Sequence, residues 1–371
     1  MTKAPEQERP QPAPGEEPDD DRGLEFSGRS VLTLCGFLAA MILGLYLLLP
    51  QLAGLEDTWN RIEDGSPAWI ALAFVLTIGM FWGYVEMFRG VFSKAGEGLI
   101  GRNESYLITM AGLAASRIFA AGGAGGLVLQ AWALRQAGLA KRVVADKTIS
   151  FLILTYFPYA LAVVICGFGL ESGLFPGEAP LTMTAVPAVI ALILMGLTSL
   201  ILLVPTDLQR RLDGFARRTG LIGRLTKRLA TVPAATSAGL HDALSHIRSR
   251  NPALLGAILF WFFQIAVLWA AFHAFGDPPP VAVLIQAFFV GMLGNLLPIP
   301  GGVGGVEGGM VGAFAAFGVD AGLAVVAVLV FRAFTFWLPL VPGVVAFFRL
   351  RARVEEWRNE RRSGGTIQSK A

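Results

Sequence analysis

The chain has 371 residues, 54% of them hydrophobic and only 15% charged, with a formal net charge of +3 and a mean hydropathy of +0.60. Water-soluble domains carry about 25% charged residues, so these proportions exclude an ordinary soluble enzyme and point to a chain whose solvent is partly lipid. Two cysteines, Cys35 and Cys166, each inside an apolar run, exclude a disulfide framework and a cysteine-rich metal site.

Residues 1–30 combine Pro, Glu and Asp with few apolar side chains. Such a composition cannot offset the entropy of ordering and predicts a disordered cytoplasmic tail. The run Val31–Leu49 is too long for a signal-peptide core and is followed by no clear cleavage site, so it predicts a retained membrane helix. Runs of membrane length recur at 67–88, 143–169, 181–204, 253–276 and 321–347, which makes six spans. Two further apolar stretches are broken by glycine. One is 105–138, with AAGGAGG at 120–126; the other is 281–319, with PIPGGVGGVEGG at 298–309. Each half is short for an independent crossing, and a re-entrant helical hairpin that enters and leaves by one side is the expected form.

Lys and Arg concentrate in cytoplasmic loops. With the N-terminus inside, 26 of the 30 fall on the cytoplasmic side and Arg61 alone falls outside; Arg117, Lys147 and Arg332 lie within or at the edge of apolar segments. An odd number of crossings in either broken stretch would move the basic loops downstream to the wrong side. The predicted fold is therefore an all-α polytopic membrane protein with six transmembrane helices plus two re-entrant helical hairpins in an inverted repeat, a recurrent transporter design. The membrane domain spans 31–350, with a first repeat at 31–169, a second at 181–347 and a cytoplasmic tail at 351–371. The segment 205–252 alternates basic and apolar residues at helical spacing, which fits a helix lying on the inner leaflet and equally a solvated linker helix.

Ionisable groups at membrane depth are costly, and each one invites a role. Arg117 precedes the first glycine break, Glu307 sits at the second, and Arg332 lies in the last span. If the hairpins meet, these three converge near the midplane, either as a cargo site or as a buried ion pair that only fixes packing. Each glycine run precedes a half-helix whose free N–H groups favour an anion such as a phosphate. The pairs Gly122/Gly126 and Gly301/Gly305 also fit close helix packing. Gln130 and Asn295 are placed to hydrogen-bond a polar headgroup or a neighbouring helix. Asp146 and Lys147 suit an interfacial pair, and Glu86 is within a turn of Arg89. Neither an HExxH, a P-loop lysine, a G-x-S-x-G nor a Cys–His arrangement occurs, so no catalytic residue, metal or cofactor is expected.

Three segments together, SRIFAAGGAGGLVLQAWALRQAG (116–138), NLLPIPGGVGGVEGGM (295–310) and FRAFTFWLPLVPG (331–343), resemble the membrane region of the lysylphosphatidylglycerol synthase family over about 31–350. The family pattern matches Arg117, Gly125, Gly126, Gln130, Pro300, Gly301, Gly302, Gly304, Glu307 and Arg332. It departs at Asp146-Lys147, where an acidic residue followed by Arg is expected. In two-part members the resemblance implies that the membrane region moves an aminoacylated phospholipid made by a C-terminal synthase domain. Here that domain is expected to be absent, so the cargo need not be lysylphosphatidylglycerol.

The expectation is a lipid flippase of a bacterial inner membrane, with both termini cytoplasmic. Its partners are membrane lipids, either an anionic phospholipid or a polyprenyl-phosphate-linked lipid, and not nucleic acid. Substrate contacts are expected from the family-matched residues and Asn295, with Glu307 as a proton-coupling candidate. An intramembrane enzyme acting on a lipid phosphate and a non-transporting subunit that presents lipid are the alternatives. A homo-oligomer and a separate lipid-modifying enzyme both remain open at this level.

Overall fold

Glycine and proline decide where the apolar runs divide into helices. In a computed structural model, residues 65–93, 100–118, 124–201, 252–297 and 302–368 are described. The predicted N-terminal tail, the span 31–49, the segment 205–252 except for its last residue, and Pro300 and Gly301 lie outside the described residues. Helix α1 (Pro67–Phe92) opens on a proline, where the missing N–H is no loss. It is followed by α2 (Arg102–Ile118), α3 (Ala124–Gln136), α4 (Lys141–Glu171) and α5 (Ala185–Ile201). The second part contains α6 (Pro252–Phe275), α7 (Val281–Met292), α8 (Gly305–Ala316), α9 (Ala321–Arg332) and α10 (Leu340–Gln368). A 3-10 turn, Leu293–Leu296, extends α7, and a π turn, Ala333–Trp337, joins α9 to α10. No strand occurs among the described residues.

Four helical runs are long and apolar enough to cross a membrane: α1, α4, α6 and the run Ala321–Glu360 through α9 and α10. They coincide with four of the expected spans. The expected span 181–204 is the shorter α5, of 17 residues. Described helices flank the centre of each glycine-rich stretch, α2 and α3 in the first and α7 and α8 in the second, with residues 119–123 and 298–301 outside the described residues; Gly126 and Gly305 of the two runs lie inside helices. Gly126 lies inside α3 because its bare Cα faces the Gly112 carbonyl of α2, where a Cβ would collide. Gly305 lies inside α8 because a Cβ there would stand 2.9 Å from the Gly294 carbonyl oxygen. Glycine costs a helix about 1 kcal/mol relative to alanine. Close backbone approach between the paired helices offsets that cost.

The predicted tail from 351 is helical as far as Gln368. Leu350, Val354 and Trp357, spaced one turn apart, are buried with Ile108 of α2 and Leu134 of α3, which carries the helix on past its apolar part. Arg353 adds an ion pair to Glu104 at 3.4 Å.

Residue contacts give the helix directions. Gly79 faces Phe263, Gly83 faces Phe260 and Gly256, and Gly90 faces Ala253, so α1 and α6 run antiparallel at close range. Helix α2 packs antiparallel on the last span: Glu104 meets Arg353, Met110 and Ala114 meet Gly343, and Arg117 reaches Thr335. Helix α7 packs antiparallel on α4 in the same manner. Gly167 faces Gln286, and the Tyr159 hydroxyl donates to the Phe289 carbonyl at 2.6 Å. The first arm of each broken stretch thus lies on the last span of the other half.

The α1–α6 contact is tested by enlarging a residue at its centre. A Cβ at Gly256 would lie 2.6 Å from the Met87 backbone nitrogen, whereas one at Gly196 meets nothing within 4 Å. Overpacking of this kind costs about 1–3 kcal/mol. Gly256→Leu should lower the melting temperature of the detergent-purified protein measurably, and Gly196→Leu should leave it unchanged.

Candidate functional site

The second glycine break turns the chain so that one carboxylate serves two donors. Gly302 and Gly304 hold φ of +64° and +82°, which side-chain-bearing residues rarely adopt. The turn they make puts Glu307 in the first turn of α8, where its Oε2 accepts the Gly304 N–H at 2.7 Å. Its Oε1 accepts from Nε of Arg332, the last residue of α9, also at 2.7 Å. The two side chains are only 14% and 8% exposed. A bond this short between buried, charged partners is the strong kind. Sequence reasoning left the start of this half-helix free for an anion; its Gly304 N–H is instead taken by the protein's own carboxylate.

Arg117 stands at the end of α2, and its Nη2 donates to the Thr335 carbonyl at 2.7 Å. That carbonyl is available because Pro339, four residues on, has no N–H to offer it. The π turn reflects the same disruption, with the Leu338 N–H reaching back to the Ala333 carbonyl at 2.9 Å. Nη1 of Arg117 is buried and has no hydrogen-bond partner among the described residues. Both guanidiniums lie over the ring of Phe336, at 5.3 Å for Arg117 and 4.3 Å for Arg332, within cation–π range.

Between these elements is a cavity of about 250 Å³. Arg117 and Arg332 line it together with Tyr84 of α1, Gln264 of α6, and Asn295 and Gly302 of the second break. Its aromatic walls come from Tyr156, Trp261 and Phe336. No acidic side chain is among the described residues that line it.

The structure brings Arg117, Arg332, Glu307, Gly302, Gly304 and Asn295 together, drawn from both glycine breaks and the last span. Gln130 is set behind them, buried against Gly112 and beside the Tyr84 hydroxyl. Gly126 packs against Gly112 and Ser116 at the α2–α3 contact, and neither Gly125 nor Gly126 is among the residues that line the cavity; Gly122 lies outside the described residues. Gln264, Tyr84, Thr335 and Phe336 were missed by sequence reasoning. Gln264 is the one amide in an otherwise apolar α6, a signal that was there to read. Away from the cavity, Glu86 pairs with Arg89 at 2.5 Å as expected, while Asp146 comes to 3.9 Å from Arg142. No metal-binding cluster of His, Cys, Asp or Glu occurs among the described residues.

A family model described as "Lysylphosphatidylglycerol synthase TM region" matches residues 32–343. Relatives in Methanothermobacter thermautotrophicus, each described as a UPF0104 membrane protein, are also similar. One is 22% identical over 329 residues, covering 86% of this chain and 94% of the relative. Another is 26% identical over 337 residues, covering 84% and 91%.

Removing one member of the buried pair leaves the other charge uncompensated, which typically costs about 3–5 kcal/mol. Arg332→Ala alone should therefore destabilise the protein strongly. The double variant Arg332→Met/Glu307→Met should recover most of the loss. A double-mutant cycle on thermal unfolding in detergent checks this, and additive losses would show that the two side chains are not coupled.

Proposed function

Since the chain belongs to the family described as the lysylphosphatidylglycerol synthase TM region, we propose that it is a lipid flippase that passes a phosphate-bearing headgroup through the Arg117–Arg332 cavity. The observation that carries this reading is Arg117, a half-buried side chain whose Nη1 is fully buried and unpaired among the described residues, and whose partners there are a neutral carbonyl and a ring. An uncompensated cation at membrane depth is costly, and a phosphate oxygen is the partner that a guanidinium fork fits best.

The packing supports an inverted repeat of two halves with re-entrant hairpins. Helices α1 and α6, the second spans of the two halves, are antiparallel, and each half's first hairpin arm lies antiparallel on the other half's last span. The arms α2, α3, α7 and α8 have 17, 13, 12 and 12 residues, with α7 extended by the four-residue 3-10 turn. At 1.5–2 Å per residue that is about 18–26 Å, short of the ~30 Å hydrocarbon core. Hairpins of this length reach the midplane and return. The headgroup occupies the cavity while its acyl or prenyl chains stay in the bilayer, and one half rocks against the other to change the open side. The distribution of Lys and Arg assigns both termini to the cytoplasmic face of the cell membrane. Glu307, held by Arg332 and Gly304, serves as the counter-charge of Arg332 and not as a base.

Reconstitution in liposomes with fluorescent phospholipids tests the proposal. The wild-type protein should accelerate translocation, Arg117→Ala should slow it by about tenfold or more while the protein stays folded, and Arg117→Lys should restore part of the rate. Lipid masses should be unchanged after incubation; a new lipid mass would favour an intramembrane enzyme. Equal rates for wild type and Arg117→Ala would remove the site from the pathway.

A further inference from the structure

The charges around the cavity restrict what its cargo can be. Two guanidiniums reach the cavity, and no acidic side chain is among the described residues that line it. Glu307, bonded to Arg332 at 2.7 Å, balances one of them. Among the described residues the other, Arg117, has the Thr335 carbonyl and the Phe336 ring as its partners and no carboxylate. One positive charge is therefore left over. At membrane depth a bound headgroup is best tolerated when it brings the balance to zero. The remaining polar lining is neutral. Gln264 is 6% exposed, and with Tyr84, Ser116 and Asn295 it offers amides and hydroxyls but no charge. The volume, about 250 Å³, is below the ~300–1,000 Å³ of sites that enclose whole small ligands, so it suits a headgroup with its chains outside.

We propose that the cargo is a singly charged phosphodiester lipid whose remaining headgroup is an uncharged polyol, either a glycerol or a sugar. The proposal rests on the transport reading and gives it a substrate class. The phosphodiester anion sits against Arg117, and the polyol hydroxyls exchange hydrogen bonds with the neutral lining around Gln264. A phosphomonoester would bring a second negative charge that nothing balances. A headgroup bearing an ammonium would add a cation beside two guanidiniums with no carboxylate lining the cavity to receive it.

The test is direct binding to the full-length protein in detergent, followed by thermal stabilisation, with five short-chain probes. These are dihexanoyl phosphatidylglycerol, a citronellyl phosphoryl hexose, dihexanoyl phosphatidic acid, dihexanoyl phosphatidylethanolamine and lysylated dihexanoyl phosphatidylglycerol. Phosphatidylglycerol or the phosphoryl hexose should bind about tenfold or more tightly than the other three, and the stronger of these two identifies glycerol or sugar as the polyol. Gln264→Glu should reverse the order by favouring the ammonium-bearing probes. If that variant does not fold, Asn295→Asp places the same charge at the rim. Preferential binding of phosphatidic acid or of an ammonium-bearing probe, with lipid translocation intact, overturns the substrate class and leaves the flippase reading standing. No binding by any probe, with no translocation, overturns both.

Discussion

The site depends on how a guanidinium is kept at membrane depth. Two are present, and they are kept by different means. Arg332 has a full carboxylate, Glu307, which in turn is oriented by the Gly304 N–H. Arg117 has a backbone carbonyl that Pro339 leaves without its helical partner, and it shares the Phe336 ring with Arg332. The first arrangement is charge-balanced and the second is not. That asymmetry distinguishes the two guanidiniums, and under the proposed function it makes Arg332 the structural partner and Arg117 the binding cation, two roles that the residue types alone do not distinguish.

The second constraint is that each broken stretch packs its first arm on a helix distant in the chain, α2 on the last membrane-length run and α7 on α4. Arg117 belongs to the first glycine-broken stretch, but its partner Thr335 and neighbour Phe336 belong to the last span of the second half. On the other side, Tyr159 of α4 is bonded to Phe289 of α7. Helices α1 and α6 cross between these two contacts through Gly83 and Gly256 with almost no side chain between the backbones. Close approach continues along both helices, from Gly79 against Phe263 to Gly90 against Ala253, so the two are held together along their length.

Much of this was legible in the sequence where the signal was local. Four membrane-length helices, the two glycine breaks and the convergence of Arg117, Glu307 and Arg332 followed from hydropathy, glycine spacing and the cost of buried charge. What was not legible depended on partners distant in the chain. The spacing within AAGGAGG allowed both close packing and an anion site, and it does not name Gly112 as the surface that Gly126 meets. Nothing near Glu307 says that it would cap its own helix and so occupy the N–H group expected to hold an anion. The helical tail was missed for a different reason. Its apolar residues, Leu350, Val354 and Trp357, are few among many arginines, and composition masked their period.

Under the proposed transport reading, the self-capping glutamate also sets the order in which a cargo engages the two arginines. Glu307 already fills the geometry that a phosphate would need at the start of α8, with one donor from the backbone and one from Arg332. To bind there, a phosphodiester would have to displace a carboxylate of equal charge, leaving that carboxylate buried with neither partner. At Arg117 it displaces nothing charged, and it gains a guanidinium with an unpaired N–H group. On that reading the first contact falls to Arg117, and the Arg332–Glu307 pair, bonded at 2.7 Å, is the wall beside it.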